Sequence, residues 1–311
     1  MTTPQPIVID AHMHLWDRVH GMIRNEKPVR PVANGVVRLG EDEVLGMPPS
    51  MRDCRASAER FVAEMDAAGV SAGVVVQEYL DGEQNDYLLG VAAQYPGRFF
   101  MHALPDWFQP DKVAEEIEAQ LAKGFRGIKL PAMHLGGLIE LDDPRLLPAY
   151  AAIASADAVL ALDLCEGQAQ VPAVRRILDK HPAMKVAIGH FGMPNRAGWP
   201  GQLDLCGYEN VYIETGGIVW LYREHGLGFG PAVDVICQAV DRIGPDKIMW
   251  GSDWPRTMVD FTYDQSLAFL RDSGPVSDAD KALILAGNAQ RLYGLTPLPP
   301  AGTPMPRITE G

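Results

Sequence analysis

The feature that most constrains the fold of this chain is the form of its apolar segments, which are short, aliphatic and uninterrupted. A strand with one exposed face alternates apolar and polar residues, whereas a continuous apolar run is typical of a parallel strand that is buried on both faces. The segments therefore predict a parallel sheet that is covered on both sides. They lie at residues 7–11, 73–77, 99–103, 127–130, 159–163, 186–190, 211–214 and 248–251.

Amphipathic helices are predicted between these strands. Val113, Ile117 and Leu121, for example, recur every four residues, and Gly124 marks the end of that helix. Parallel strands need crossover connections, so the alternation predicts strand–helix units. Eight units followed by an extra helix near residues 278–293 favour an α/β fold of the (β/α)8 TIM-barrel type. A doubly wound open sheet is the alternative, which the absence of a GxGxxG turn after the first strand weakens.

One connection is too long for an ordinary loop. About residues 20–55 follow the first strand, whereas such loops usually have about 2–6 residues, and the sequence GVVRLGEDEVLG within them favours a hairpin. We expect an insertion that acts as a lid or a small subdomain. We also expect one barrel domain over residues 1–295, and a Pro-rich, poorly packed tail over residues 296–311.

Composition limits the class of partner. The net charge is −13, so nucleic acid and anionic membrane surfaces are expected to be repelled. The four cysteines form no CxxC pair, and no apolar run reaches the roughly 18 residues of a membrane span. We expect a reduced, cytoplasmic protein with a small-molecule substrate. Whether it forms a homo-oligomer stays open.

Histidines concentrate at the predicted strand ends. His12 and His14 lie two residues apart, so their side chains point to the same side of a strand and could share one divalent cation. His102, His134 and His190 also lie at or just after predicted strands, at the end of a barrel where enzymes of this fold carry their chemistry. The alternative for the His12–His14 pair is a purely structural role in the core.

An aspartate follows the last predicted strand in the same way. Asp253 lies within WGSDWP, directly after a buried apolar segment. This position is compatible with a helix N-cap, a metal ligand or a general base. Since strands one and eight are neighbours in a closed barrel, a functional role beside His12 and His14 is favoured.

These motifs resemble the amidohydrolase superfamily, and more narrowly the amidohydrolase-2 group of lactonases and carboxymuconate-semialdehyde-type decarboxylases. The resemblance implies that His12 and His14 are metal ligands, that Asp253 is a ligand, a general base or both, and that His190 polarises the substrate or moves protons. It rests on IDAHMHLWD, GIKLPAMH, VAIGHFGMP, YIETGG, MWGSDWP and GNAQRLYG, which span nearly the whole chain.

The chain departs from the decarboxylase pattern at strand five. That strand reads VLALDLCEG, with Asp163 or Glu166 where those enzymes have a metal-binding histidine. Asp163 is therefore an additional candidate ligand. We expect one divalent ion, zinc with manganese as the alternative. A mechanism without metal stays open, because the pyrone lactonase branch also lacks this histidine and is understood to need no metal.

Further residues are candidates for the pocket. We predict that Lys129 is catalytic, stabilising an oxyanion together with His190, with a buried ion pair or a carboxylate-binding role as alternatives. The predicted substrate-binding residues stand near strand ends or in the insertion, where the alternatives are hydrogen bonding at the barrel mouth and a solvated loop. They are Glu78, His102, His134, Trp254, Arg256, Arg38 and Arg52.

These predictions lead to a function. The first hypothesis is metal-dependent hydrolysis of an ester or lactone of a small carboxylated compound, in which Asp253 accepts the proton of the attacking water. The alternative is non-oxidative decarboxylation of an aromatic or muconate-like acid, which is carbon–carbon lyase chemistry. A barrel that has lost catalysis is disfavoured by the intact set of His12, His14, His190 and Asp253.

Overall fold

The computed structural model of the chain describes residues 6–165 and 167–297. Its strands are β1 (Ile9–His14), β2 (Met22–Ile23), β3 (Lys27–Ala33), β4 (Val36–Leu39), β5 (Asp42–Leu45), β6 (Ala72–Val76), β7 (Phe99–Ala103), β8 (Gly127–Leu130), β9 (Val159–Leu162), β10 (Lys185–Ile188), β11 (Val211–Glu214) and β12 (Ile248–Met249). Its α-helices are α1 (Ala58–Ala68), α2 (Asn85–Gln94), α3 (Val113–Ala122), α4 (Leu147–Ser155), α5 (Val171–Lys180), α6 (Trp199–Leu203), α7 (Ile218–Leu221), α8 (Gly230–Ile243), α9 (Tyr263–Arg271), α10 (Asp278–Ala282) and α11 (Asn288–Tyr293).

The larger sheet is a parallel barrel. Strand β1 pairs with β6, and β6 to β12 then pair in chain order. The last strand returns to the first: Ala11 N donates to Trp250 O at 2.8 Å, and Asp253 N donates to His12 O at 2.8 Å. The (β/α)8 barrel predicted from the sequence is therefore confirmed, and the open sheet is excluded because its edge strands would not pair.

The lower half of the barrel is closed by apolar packing. Ile9, Ala11 and Phe100, from early positions in their strands, pack with Tyr212 and with Tyr293 of α11. The predicted final helix is α10 and α11, joined by a π-helical turn at Leu283–Gly287. The described residues therefore close the amino-terminal end of the barrel, and the cavity that could admit a ligand lies at the carboxyl ends of the strands.

The insertion folds as an antiparallel sheet of strands β2, β3, β4 and β5. The predicted hairpin is β4 and β5, in which Val37 pairs with Val44 and Arg38 with Glu43. Val37 is buried, whereas Arg38 and Glu43 are exposed and form an ion pair. Alternate residues of β4 therefore face opposite sides, one toward the barrel mouth and one toward solvent.

The first strand is longer than the sequence predicted. We expected it to end at residue 11, but it continues to His14, since Met13 and His14 pair with Val75 and Val76. A shift in register between Asp10 and Met13 accompanies this continuation. Polar histidines predict the end of a buried strand, whereas in the structure the neighbouring strand β6 supplies backbone partners at Met13 and His14.

Two regions named in the sequence predictions lie outside the residues that the structure describes. Residues 298–311, which make up most of the predicted Pro-rich tail, lie outside the described residues. Glu166, one of the two acidic candidates at strand five, lies outside them as well. Over the described residues, the structure has no helix that is both long and apolar enough to span a membrane.

Candidate active site

Polar and charged side chains cluster at the open end of the barrel. Most of them are nearly inaccessible to solvent; His12, His14, Glu214 and Asp253 are each at most 2% exposed. Buried polar groups of this kind need partners, so their contacts define what the cluster can do. Its members come from the ends of six strands and are His12, His14, Glu78, Asp163, His190, Glu214 and Asp253.

The first two histidines are held in one orientation. His12 Nδ1 lies 2.6 Å from Glu214 Oε1, and His14 Nδ1 lies 3.1 Å from the carbonyl oxygen of Val76. A carbonyl oxygen can only accept a hydrogen bond, as can an ionised carboxylate, so each ring carries its proton on Nδ1. The Nε2 lone pairs are then free to bind a metal, the usual arrangement of metal-binding histidines.

These lone pairs converge on one point with an oxygen of Asp253. His12 Nε2 lies 3.3 Å from His14 Nε2, and Asp253 Oδ1 lies 3.0 Å and 3.7 Å from His14 and His12. Three ligands of a tetrahedral zinc ion, each about 2.0–2.1 Å from the metal, lie about 3.3 Å from one another. Facing lone pairs repel unless a cation or a proton lies between them. The donor set therefore fits a divalent ion.

His190, the third histidine of the cluster, lies beside this group. Its Nδ1 lies 3.0 Å from Gly216 O, and its Nε2 lies 3.8 Å from Asp163 Oδ2. A ligand atom from each of His12, His190 and Asp253 lies within 4.8 Å of the others. Burial disfavours the charged ring, but the nearby carboxylates, above all that of Asp163, raise the pKa of His190. The raised pKa fits a proton donor.

Asp253 has an unusual backbone. Its φ of +57° lies in the left-handed region, which is rare for residues other than glycine and is often found at functional sites. Its Oδ2 accepts a hydrogen bond from Trp220 Nε1 at 3.0 Å. Burial alone would raise the pKa of Asp253, but a second proton on His14 Nε2, at the position that a metal ion would take, donates a hydrogen bond to its carboxylate, and this bond and the positive charge of His190 lower the pKa. The helix-cap interpretation is excluded, since Thr262 is the N-cap of α9.

Two glycines make room for His12. A Cβ atom on Gly251 would lie 2.7 Å from His12 Cβ, and one on Gly216 would lie 2.7 Å from His12 Cγ. A Cβ atom essentially never lies this close to another carbon atom to which it is not bonded. The glycines of the GSDWP and ETGG motifs therefore allow the imidazole to pack between strands β11 and β12.

Glu214 is the residue that sequence reasoning missed. Its Oε1 accepts from His12 Nδ1 and, at 3.1 Å, from the backbone N of His190, while Oε2 accepts from Gly216 N. The carboxylate thus positions two histidines at once. The signal was present: Glu214 ends an apolar strand, as Asp253 follows one.

Lys129 forms a buried ion pair. Its side chain is 0% exposed, contacts Asp163 Oδ2 directly and lies 3.5 Å from Glu78 Oε1. Burial disfavours the ammonium, but the charges of Asp163 and Glu78 outweigh this effect and raise the pKa of Lys129. Asp163 in turn keeps one oxygen, Oδ1, without a hydrogen-bond partner. The ion-pair alternative therefore describes the position of Lys129, whose proposed catalytic role stays a prediction.

A cavity of about 500 Å³ lies above the cluster, between the barrel mouth and the insertion. Its floor is polar, and much of its wall is apolar and comes from the insertion. The lining residues are His14, Ile23, Val37, Leu39, Val44, Leu45, Gly46, Glu78, Leu80, Met133, His134, His190, Trp220, Asp253, Arg256, Val259 and Asp260.

Three of the predicted substrate-binding residues line this cavity. His134 Nε2 lies 3.5 Å from Glu78 Oε2, so these two side chains contact each other. Arg256 donates to Gly46 O at 2.9 Å and pairs with Asp81. The arginine thus connects the loop after β12 to the insertion and to the loop after β6.

Both predicted insertion arginines lie elsewhere. Arg38 pairs with Glu43 on the outer face of the hairpin, with 54% of its side chain exposed. Arg52 is exposed as well and does not line the cavity. The structure therefore does not bring them to a ligand in this cavity, because their backbone positions direct both side chains to solvent.

Two predicted ring residues are packed in the protein instead. Trp254 is 2% exposed, and its ring centroid lies 4.9 Å from that of Phe61 on α1. His102 is 0% exposed within the barrel, where burial lowers its pKa to about 3, and its Nδ1 lies 3.0 Å from Val75 O. Neither lines the cavity; the tryptophan in its wall is Trp220.

The fold and the site together define a class: a TIM-barrel enzyme in which histidines and carboxylates that suit a divalent ion meet at the carboxyl ends of the strands. The family model described as amidohydrolase matches residues 9–295. The chain therefore belongs to the amidohydrolase family, as the sequence motifs predicted.

Known proteins of several activities are similar to the chain. L-fucono-1,5-lactonase of Burkholderia ambifaria is 29% identical over 248 residues, which cover 73% of this chain and 81% of that protein. Gamma-resorcylate decarboxylase of Polaromonas sp. is 29% identical over 137 residues, covering 38% of this chain and 37% of that protein. A solved structure of an amidohydrolase from Burkholderia multivorans with bound zinc has a TM-score of 0.69 at 21% identity, and the match covers 93% of this chain and 100% of that chain.

Proposed function

We propose that this chain is a metal-dependent hydrolase that opens lactones or related esters. The observation that carries the proposal is the convergence of His12 Nε2, His14 Nε2 and Asp253 Oδ1 at the floor of a cavity. The similarity to a lactonase over 73% of the chain supports the same activity. A small molecule of the size of a substituted lactone fits a cavity of about 500 Å³.

Two imidazole nitrogens and a carboxylate oxygen would hold the ion, a donor set that suits zinc and is also compatible with manganese. A divalent ion bound there supplies Lewis acidity, which polarises a carbonyl and lowers the pKa of adjacent water. Glu214 fixes the Nδ1 proton of His12 and thereby directs its Nε2 toward the ion. Asp163 stays a proposed additional ligand through its unpaired Oδ1.

The protein's own groups perform the proton transfers. Asp253 is ionised and lies at the cavity floor, where it accepts the proton of the water that attacks the carbonyl carbon. Trp220 Nε1 donates a hydrogen bond to Asp253 Oδ2 and so holds the carboxylate in place. His190, whose pKa is raised, donates a hydrogen bond to the developing oxyanion and then a proton to the leaving oxygen as the ring C–O bond breaks. Lys129, which pairs with Asp163 and Glu78, contributes positive charge that stabilises the oxyanion.

Decarboxylation stays the second candidate, because a decarboxylase is among the similar proteins. The position where those enzymes are expected to have a strand-five histidine holds Asp163 here, and its Oδ2 is engaged by Lys129. We propose that this pairing disfavours the lyase reaction, which would place a second carboxylate, that of the substrate, beside Asp163.

The products distinguish the two reactions. Purified protein is incubated with a set of γ- and δ-lactones and with hydroxylated benzoic acids, and acid release is followed by pH-stat while carbon dioxide is measured in the headspace. We expect stoichiometric acid release from a lactone and no carbon dioxide. Carbon dioxide release without lactone opening would overturn the proposal in favour of the lyase.

The location of the protein, its partners and its oligomeric state are predicted from the sequence alone. Cytoplasmic location, the lack of nucleic-acid partners and the oligomeric state stay predictions. The carboxylate that we expected on the substrate is also a prediction, and two of the three arginines that could have bound it lie at solvent.

A further inference from the structure

We propose that the insertion is a specificity element that selects substrates with an uncharged, apolar body. The inference rests on the proposed lactone hydrolysis and adds to it the class of substituent that the lactone carries. Three observations support it: the apolar character of the roof, the exposure of apolar side chains at its rim, and the pairing of the cations near the cavity.

The roof of the cavity is apolar by register. On β4, Val37 and Leu39 line the cavity, whereas Arg38 between them points to solvent. Val44 of β5 pairs with Val37 and lines the same space, as does the neighbouring Leu45. Val37, Leu39 and Val44 therefore form an apolar patch toward the ligand, whereas the paired Arg38 and Glu43 lie on the opposite side of the hairpin.

The rim of this roof is not covered by the protein itself. Val44 is 38% exposed and Leu45 is 46% exposed, although both line a cavity above the polar cluster. Removing apolar surface from water is favourable. A substrate that extends an alkyl or aryl group from the cavity floor toward the hairpin would cover these two side chains.

The charges beside the cavity do not favour an anionic substituent. Among the described residues that line the cavity, the one lysine or arginine is Arg256. Its guanidinium pairs with Asp81, whose side chain is 5% exposed. The carboxylates of Glu78 and Asp260 also line the cavity. Glu78 is balanced by Lys129 and His134, and the positive charge of His190 lies at the cavity floor. A substrate carboxylate away from the floor would thus find no unpaired lysine or arginine among the described lining residues.

The test uses two lactones of equal length. One is γ-butyrolactone with a pentyl substituent, and the other carries a carboxylate in place of the terminal methyl group of that chain. We expect kcat/KM of the wild-type enzyme to be at least about tenfold higher for the pentyl lactone, since a few buried methylenes are worth roughly that factor.

Matched variants show whether the insertion causes the preference for the pentyl lactone. Val44→Thr keeps the branched shape but replaces one methyl group with a hydroxyl. It should lower kcat/KM for the pentyl lactone roughly threefold to tenfold, and it should lower kcat/KM for unsubstituted γ-butyrolactone by a smaller factor. Val32→Thr is the control: Val32 is 44% exposed on β3 of the same sheet but does not line the cavity, so its kinetics should match the wild type.

The outcomes separate this inference from the proposed function. If lactones are opened but the carboxylated lactone is preferred, or if Val44→Thr leaves the preference unchanged, the inference is wrong and the hydrolase stands. If no lactone is opened, calorimetry with the corresponding pentyl and carboxylated cyclopentanones decides. Tighter binding of the pentyl compound that Val44→Thr weakens supports the inference, and any other binding result overturns it.

Discussion

Individual residues at this site have separable duties. The proposed ligands are His12 and His14 through Nε2 and Asp253 through Oδ1, whereas Glu214 contacts His12 and does not line the cavity, so we propose that it acts through His12. The distinction matters because a ligand, a base and a positioning group respond differently to conservative substitution. His190 differs from the first two histidines, because the surrounding carboxylates favour its protonated form.

Substitution of Asp253 tests the base and ligand assignments. Asp253→Asn keeps the volume and one acceptor oxygen but cannot take up a proton, so we expect kcat to fall by roughly 10²–10⁴ with little change in thermal unfolding. Asp278→Asn, at an exposed position on α10, is the control and should behave as the wild type. A marked loss of stability with normal activity per folded molecule would make Asp253 a structural residue.

Substitution of Glu214 tests positioning. Glu214→Gln can still accept a hydrogen bond from His12 but loses the charge that strengthens it, and we expect metal affinity to weaken about 10- to 100-fold. Activity titrated with metal should shift to higher concentration and recover most of its maximum at saturation. Glu209→Gln at the surface should leave the titration unchanged. A low maximum at saturating metal would assign Glu214 to the chemistry itself.

The insertion is the element on which we propose that specificity depends. Arg256 secures it, since its guanidinium bonds to Gly46 of the insertion, pairs with Asp81 and lies over the ring of Trp16, with its Cζ 5.2 Å from the ring centroid. Because Asp81 is nearly buried, this pair differs in kind from the exposed pair of Arg38 and Glu43 on the same insertion.

That difference predicts unequal costs for the same substitution. Arg256→Gln leaves a buried carboxylate without its partner and should lower the free energy of unfolding by about 2 kcal/mol, below the full range for buried pairs because Arg256 keeps some exposure. Arg38→Gln should change it by less than about 0.5 kcal/mol. Urea unfolding of both variants measures the contrast, and equal costs would show that Arg256 does not hold the insertion.

The arrangement of strands and helices was predictable because strands that are buried on both faces are continuous apolar runs in the sequence. The extent of β1 was not, since polar histidines are atypical of a buried strand, yet the backbone at Met13 and His14 pairs with the neighbouring strand β6. The hairpin of the insertion was predicted from its turn residues. Its position over the cavity was not, because tertiary contacts such as that of Arg256 with Gly46 determine it.

For the molecule as a whole, the sequence predicted that the candidate histidines and carboxylates meet at the carboxyl ends of the barrel strands, and the structure brings them together there. Residues that directly follow buried strands, such as Asp253 and His190, were found because strand ends converge in this fold. Residues on loops and at strand edges, such as Arg38, Arg52 and Trp254, were placed wrongly at the cavity, since their side-chain directions depend on register and neighbouring helices. Glu214 was overlooked because its partner is distant in sequence.

Metal dependence is the property on which the proposed mechanism depends. The purified enzyme is stripped with a chelator, its metal content is determined by mass spectrometry, and lactone hydrolysis is measured as zinc or manganese is added back. We predict that activity is lost on removal and returns to its maximum at one equivalent per chain, and that the His12→Ala and His14→Ala double variant neither binds the ion nor recovers activity. Full lactone hydrolysis by the metal-free enzyme, or by the double variant, would contradict the assignment of His12, His14 and Asp253 as a catalytic metal site.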